Sequence, residues 1–374
     1  ANEFPRTIGN SSEWYYYRIE RDATFSANVH LDTITGIPVQ TSIKPYRFPV
    51  MWQNRLFLLN DQAGNKNSAF GSSYGTNCVF NGTDAGTLTF GGSKEINCGA
   101  TLFTRYGSNV YENLIVCKNN ETYLVDGTSF TGDATGAGAF IVYQVSSTRG
   151  CIAPLTMKQC DTGYEVAPGV TKHILTWLAS SGVVMFDSNS IIEISNDIGD
   201  RFFSYGTNVL LASMSNQSAS FYDNVRGEYH LLIPVGSSAT YLNEEWVYDV
   251  VRKKWFLIKR GDSKQLWCGF NTEDSYGNSY VYGGTRDGYI ERLENGTTFD
   301  GNGIAYKFRL PDSLLNNSWD SRKEIRQIRL VGLCKTTTSQ TVAVSHYADG
   351  SSTASVPSVV AIANNKSGRR FYKF

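Results

Sequence analysis

Gly71-Ser72-Ser73-Tyr74-Gly75 has the G-x-S-x-G form of a hydrolase nucleophile elbow. That chemistry needs a strand before the serine and a helix after it, so that a strained turn lifts the hydroxyl clear. Here Thr76-Asn77-Cys78-Val79-Phe80-Asn81-Gly82 follows, which is no helical pattern, and Ser73 reads as a loop serine. The four histidines, His30, His173, His230 and His346, form no HxH or HExxH spacing and read as core or surface residues. Glu244 and Glu245 are adjacent ahead of a strand, where neighbouring side chains point to opposite faces. They cannot act as one acid–base dyad, and one of them is expected in solvent. Asp300-Gly301-Asn302-Gly303 hints at a calcium loop, yet the other oxygen ligands are missing locally and a plain turn is expected. No phosphate-cradling GxxxxGK[ST] or GxGxxG occurs. The nearest approach to a sialidase Asp-box, Asp249 to Trp255, lacks its Ser and Gly. The expectation is therefore no catalytic, cofactor-binding or metal-binding residue, no cofactor, and a protein that is not an enzyme.

The elements that would position such residues are strands. The 374 residues are 41% hydrophobic and only 18% charged, which excludes a disordered chain. Aromatic residues at 13%, with 35 glycines, suit many short strands joined by tight turns. Lys plus Arg equals Asp plus Glu, 34 each, so the basic excess of a nucleic-acid binder is absent. No run of 18 apolar residues is present to span a membrane as a helix. Ala1 in place of Met leads to the expectation of a processed chain or a piece of a longer product. The seven cysteines (78, 98, 117, 151, 160, 268 and 334) are an odd number without a CxxC. Cys117 and Cys268 sit in apolar runs, so free thiols are expected.

Two stretches repeat each other. Tyr222-Asp223-Asn224-Val225-Arg226-Gly227-Glu228-Tyr229 returns as Tyr248-Asp249-Val250-Val251-Arg252-Lys253-Lys254-Trp255. Each reads as strand, Asp-opened turn, strand. Further strand–turn–strand units centre near Ile115, Trp177, Leu231 and Val281, about 50 to 60 residues apart, the length of a four-stranded blade with decorated loops. No apolar pattern of helical period is sustained, and Pro311–Leu315 offers one turn at most. Gly82–Gly99 and Ser129–Gly138 read as long surface loops. The fold expected is all-β: an extended segment over residues 1–40, a β-propeller over 41–310 and a small C-terminal β appendage over 311–374.

The order of these units resembles a known family. Trp52-Gln53-Asn54-Arg55-Leu56-Phe57 precedes the Phe70-Gly71-Ser72-Ser73 loop. Glu112-to-Val116 and Leu124-to-Gly127 come next, followed by Gly150-Cys151-Ile152-Ala153, Leu175-to-Leu178 and Ile192-to-Ile198, then the Tyr-Asp repeats. The succession, over roughly residues 48–310, is similar to the β-propeller structural proteins of tailed bacteriophages, of head–tail connector, tail hub or nozzle type. That resemblance implies a virion protein assembled in the host cytoplasm and working as a homo-oligomeric ring. Its implied partners are other tail or connector proteins, with DNA only passing through the channel, and it transfers no catalytic residue. An extracellular glycan-binding or glycan-cleaving propeller is the alternative, in which exposed Tyr and Trp would stack on sugar rings.

Overall fold

The computed structural model describes residues 46–75, 80, 83–106, 109–132, 138–203, 208–261, 263–296, 298–299, 302–303, 307, 328–333, 340–347, 358–362 and 367–372. The chain divides into two compact units, Ala1–Ile304 and Ala305–Phe374. Among the described residues 53% are strand and 6% helix, so the all-β expectation holds, and the helical residues described are three short 3-10 turns.

The first unit is a run of antiparallel meanders taken in chain order. Sheet one holds β1 (Tyr46–Trp52), β2 (Arg55–Asp61), β3 (Ser68–Gly71) and β4 (Gly86–Thr89). Sheet two holds β5 (Ile96–Tyr106), β6 (Asn109–Lys118), β7 (Thr122–Asp126) and β8 (Ile141–Ser146). Sheet three holds β9 (Lys158–Ala167), β10 (Val170–Ala179), β11 (Gly182–Phe186) and β12 (Ile191–Glu193). Sheet four holds β13 (Ala219–Asp223), β14 (Glu228–Ile233), β15 (Glu244–Asp249) and β16 (Lys254–Ile258). Sheet five has three strands, β17 (Leu266–Glu273), β18 (Ser279–Thr285) and β19 (Ile290–Arg292). A two-stranded ribbon, β20 (Thr298–Phe299) with β21 (Asn302–Gly303), follows. In the second unit β22 (Ile328–Leu333) pairs with β25 (Ser367–Tyr372), and β23 (Gln340–Val344) with β24 (Ser358–Ile362).

Successive sheets pack face to face, and each interface has its own apolar cluster. Trp52, Phe57 and Leu59 of sheet one meet Leu114, Val116 and Val125 of sheet two. Ile115 and Cys117 meet Leu175, Trp177 and Phe186 of sheet three. Ile174, Leu178 and Met185 meet Tyr222, Tyr229 and Leu231 of sheet four. Phe221 and Leu232 meet Leu266, Val281 and Leu293 at sheet five. Side chains alternate along a strand, so in β10 Leu175 and Trp177 serve one interface and Ile174 and Leu178 the next. That is why Ile174–Ala179 of β10 and all of β11 are buried at successive positions: both faces are covered. The four centres near Ile115, Trp177, Leu231 and Val281 fall on the second strand of sheets two to five.

The Tyr-Asp repeat lies inside one sheet, not between two. Its copies form the hairpins β13–β14 and β15–β16 of sheet four. In each, the Asp ends the strand and its Oδ1 accepts from turn amides: Val225 and Arg226 for Asp223, Arg252 for Asp249. Each Asp carbonyl accepts the amide four residues on, from Gly227 at 2.9 Å and Lys253 at 2.8 Å. Both of those residues take the left-handed conformation, φ 72° and 56°. The turns are equivalent, with Tyr222 opposite Tyr229 and Tyr248 opposite Trp255.

Other expectations are corrected. Gly82–Gly99 is not one surface loop, because it contains β4, the start of β5 and the buried Phe90 and Ile96. Cys98, Cys117, Cys151 and Cys160 are buried free thiols, but Cys268 is exposed despite its apolar neighbours. Residues 1–40, Pro311–Leu315 and Cys78 and Cys334 lie outside the described residues.

A buried cation sits between sheets one and two. The Lys118 ammonium, shielded from solvent, donates to the Gly92 carbonyl (2.8 Å) and lies 3.4 Å from Glu121. The Tyr123 hydroxyl donates to Glu121 at 2.8 Å, and this bond, with the Lys118 charge, holds the Glu121 carboxyl below the usual range. A carboxylate with a lowered folded pKa contributes stability that is full above its unfolded value, about 4.3. That contribution is lost as pH falls through the folded value. Glu121→Gln should therefore flatten the acid limb of the urea midpoint plotted against pH below about 4.3, relative to the parent. Trp177→Ala should lower stability by about 3–5 kcal/mol in the same assay. Tyr276→Ala, at an 89% exposed side chain, should change it by less than about 0.5 kcal/mol.

Candidate functional site

The polar residues that sheet four cannot expose gather on its sheet-five side. Asp223 ends β13 directly opposite Glu228, which begins β14. Alternation puts His230 two residues on along the same face, opposite Phe221, whose ring stacks on the imidazole at 4.3 Å. From β15, Glu245 comes in diagonally, its Oε1 2.9 Å from His230 Nδ1. Arg260, just beyond β16, grips Glu245 in a fork, Nε to Oε2 at 2.6 Å and Nη2 to Oε1 at 2.9 Å. Across the interface Glu294, next to the end of β19, lies 3.7 Å from Arg226 and 4.0 Å from Arg260. Arg226 also reaches Asp223 Oδ2 at 3.2 Å.

Charge follows geometry here. Burial alone pushes the Glu245 carboxyl up, but the Arg260 guanidinium and the His230 ring reverse this and hold it at about 2. Burial pushes His230 down, whereas the flanking Glu228 and Glu245 carboxylates carry it above its ordinary value. His230 Nε2 is 3.7 Å from Glu228, too long for a hydrogen bond, and it is buried with no other partner. Ligand-capable atoms of Asp223, Glu228 and His230 lie within 4.8 Å of one another.

The residues weighed in the sequence are placed elsewhere or differently. Ser73 lies in the loop after β3, beside Asp84, with loop and turn rather than a helix through residues 72–75; residues 76–79 lie outside the described set. His173 and His346 are exposed and His230 is in the core, while His30 lies outside the described residues. Glu244 and Glu245 do face opposite ways, but neither is in solvent. Glu244 pairs with Arg201 at 2.9 Å and accepts from Trp246 Nε1 at 2.7 Å. Asp300 and Gly301 lie outside the described residues, and Asn302–Gly303 form β21. Spacing among the histidines alone does not bring out the Asp223–Glu228–His230 grouping. The signal was Glu-x-His at the start of a strand, one face by alternation, with the Asp set opposite by the turn.

No family model matches the chain, and no curated protein matches it. Among solved structures, two variants of the Synechocystis apocarotenoid oxygenase show 7% identity and a TM-score of 0.21. The first aligns over 74% of this chain and 75% of that one, the second over 73% and 75%. A TM-score of 0.21 carries no argument about fold or chemistry.

Glu245 is wholly buried and Arg260 nearly so, so removing one partner strands the other's charge. Arg260→Met should cost about 3–5 kcal/mol in equilibrium unfolding. Arg252→Met, whose side chain is 80% exposed on Asp249, should leave the unfolding midpoint close to the parent's.

Proposed function

We propose that this chain is a ring-forming structural subunit of the tail or head–tail junction of a tailed bacteriophage, with a β-propeller as its main domain and no catalytic role. One observation carries the reading: five antiparallel meanders follow one another in chain order, each stacked on the last. Neighbours meet through their first strands, β1 with β5, β5 with β9, β9 with β13 and β13 with β17. Radial propellers use this arrangement to manage sheet edges. The order of sequence units resembling phage connector and hub proteins points the same way.

Assembly with other copies would use the outermost strands. These carry exposed apolar side chains: Ile141 and Tyr143 on β8, Ile192 on β12, Phe256 on β16 and Ile290 on β19. An outer strand also offers unpaired backbone groups to a partner strand. In this reading the subunit lies in the virion, holds other tail or connector proteins, and lets DNA pass without binding it. Exposed Trp267, Tyr276 and Tyr289 favour a second reading, an extracellular glycan-binding propeller.

Light scattering and negative-stain images of the full chain decide between them. The expected result is a closed ring of several copies, broken to monomers by Ile141→Lys with Tyr143→Lys, with the far-UV spectrum unchanged. A monomer at all concentrations that binds an oligosaccharide, with binding lost in Trp267→Ala, would establish the second reading.

A further inference from the structure

We propose that Asp223, Glu228 and His230 bind one divalent transition-metal cation of the zinc class, a site that goes beyond the structural role above. Three independent features converge on it. The first is spacing. The three donor atoms lie within 4.8 Å of one another, and the ligands of a tetrahedral zinc with bonds of about 2.0–2.2 Å stand roughly 3.3–3.6 Å apart, so side-chain movements of about an ångström close them on one ion.

The second is the orphaned nitrogen. His230 is 1% exposed, and its Nε2 has no hydrogen-bond partner, a costly condition for a buried polar atom. The other ring nitrogen is committed, Nδ1 to Glu245 Oε1 at 2.9 Å. Metal-binding histidines are oriented by this outer-shell carboxylate: it fixes the proton on Nδ1 and leaves the Nε2 lone pair for the metal. Glu245 is in turn fixed by the Arg260 fork, and the ring by its stack on Phe221.

The third is charge. Asp223, Glu228, Glu245 and Glu294 face two guanidiniums, Arg226 and Arg260. Arg252, from the next hairpin, is occupied by Asp249. With His230 neutral, as a bond from Nε2 to a metal requires, the network is short of two positive charges at the place where it is best shielded from water, and one divalent cation supplies them. Two carboxylates and one imidazole suit zinc, cobalt or manganese, whereas calcium and magnesium prefer all-oxygen shells. On binding, the ion takes the place of Arg226 at Asp223 Oδ2, and Arg226 shifts its contact to Glu294, now 3.7 Å away.

The test uses the full chain stripped with a chelator and titrated with Co2+, then with Zn2+ as competitor. The expected result is one equivalent of Co2+ with visible d–d absorption, no thiolate-to-cobalt charge-transfer band, and displacement by Zn2+. Asp223→Asn keeps the turn-capping oxygen, and Glu228→Gln changes a group at the hairpin edge, so each should leave the far-UV spectrum intact. Each should weaken Co2+ binding by roughly tenfold or more, the loss a removed metal-site group produces. Binding unchanged in both variants, a thiolate band, or no saturable binding would each overturn the proposal.

Discussion

Covering both faces of every inner sheet is the constraint from which the rest of the first unit follows. A sheet in a two-layer sandwich needs one apolar face, but sheets two, three and four are each packed on two sides. Their strands must therefore be apolar at consecutive positions, and any polar group within them must find its partner internally. The tryptophans illustrate the solution. Trp52 Nε1 donates to the Glu112 carbonyl at 2.7 Å, Trp177 Nε1 to Gly150 at 3.0 Å and Trp255 Nε1 to Ile194 at 2.6 Å. A large apolar body fills the interface while its single donor ties one sheet to the backbone of its neighbour or of the connecting segment. Close approach is set by glycine where needed: a Cβ on Gly150 would meet the Lys118 carbonyl at 2.1 Å, and one on Gly269 would meet the Phe221 ring at 2.3 Å.

The interface between sheets four and five departs from this apolar rule. Its cluster is small, and next to it lies the network of Asp223, Glu228, His230, Glu245 and Arg260. Apolar side chains would fill the same volume at no desolvation cost, and buried ion pairs are seldom the stabilising choice. The network also has a positional consequence that apolar packing would lack. It fixes the β13–β14 hairpin against Arg260 and, through Arg226, against Glu294 beside sheet five. Two further polar contacts cross the same boundary, Asn271 to the Tyr222 carbonyl at 2.6 Å and Ser279 to Asn224 at 2.9 Å. Directional bonds thus set the register of sheet five on sheet four where apolar area alone would set it loosely.

Much of this was legible in the residues, for a physical reason. Period-two alternation, absent helical period and Asp- or Gly-centred turns are local properties, and they located the second strand of sheets two to five around Ile115, Trp177, Leu231 and Val281. The Tyr-Asp repeat was equally legible as two equivalent turns. Its placement within a single sheet was not, because strand partnership depends on contacts that turn chemistry does not encode. Gly82–Gly99 misled for a related reason: β4 and the start of β5 carry Gly, Thr and Asn, and only packing of Leu88, Phe90 and Ile96 against sheet-one and sheet-two residues makes that stretch ordered core. The Asp223–Glu228–His230 grouping needed two facts combined, alternation along β14 and the opposition of Asp223 to Glu228 across the turn. Cys268 shows the converse, since apolar neighbours in sequence do not bury a residue on the uncovered face of a terminal sheet.

The two terminal sheets carry the same constraint to its unfinished point. In β1, Val50 and Trp52 face sheet two, while Arg47, Pro49 and Met51 on the opposite face are exposed. In sheet five, Val281 faces sheet four, while Phe270 stacks on Tyr282 at 5.9 Å on the other side and is 46% exposed. The inner strands β11 and β14 are buried on both such faces. A stack of twisted sheets that buries every inner face and leaves two end faces with Met51 and Phe270 uncovered has an apolar reason to bring something onto each end. Another sheet of this chain or of a neighbouring copy would satisfy that demand by the packing already used four times between β1 and β19. The outer faces of β1 and β17 are thus the places where the first unit's own packing rule, an apolar face covered by a neighbouring sheet, is left unmet.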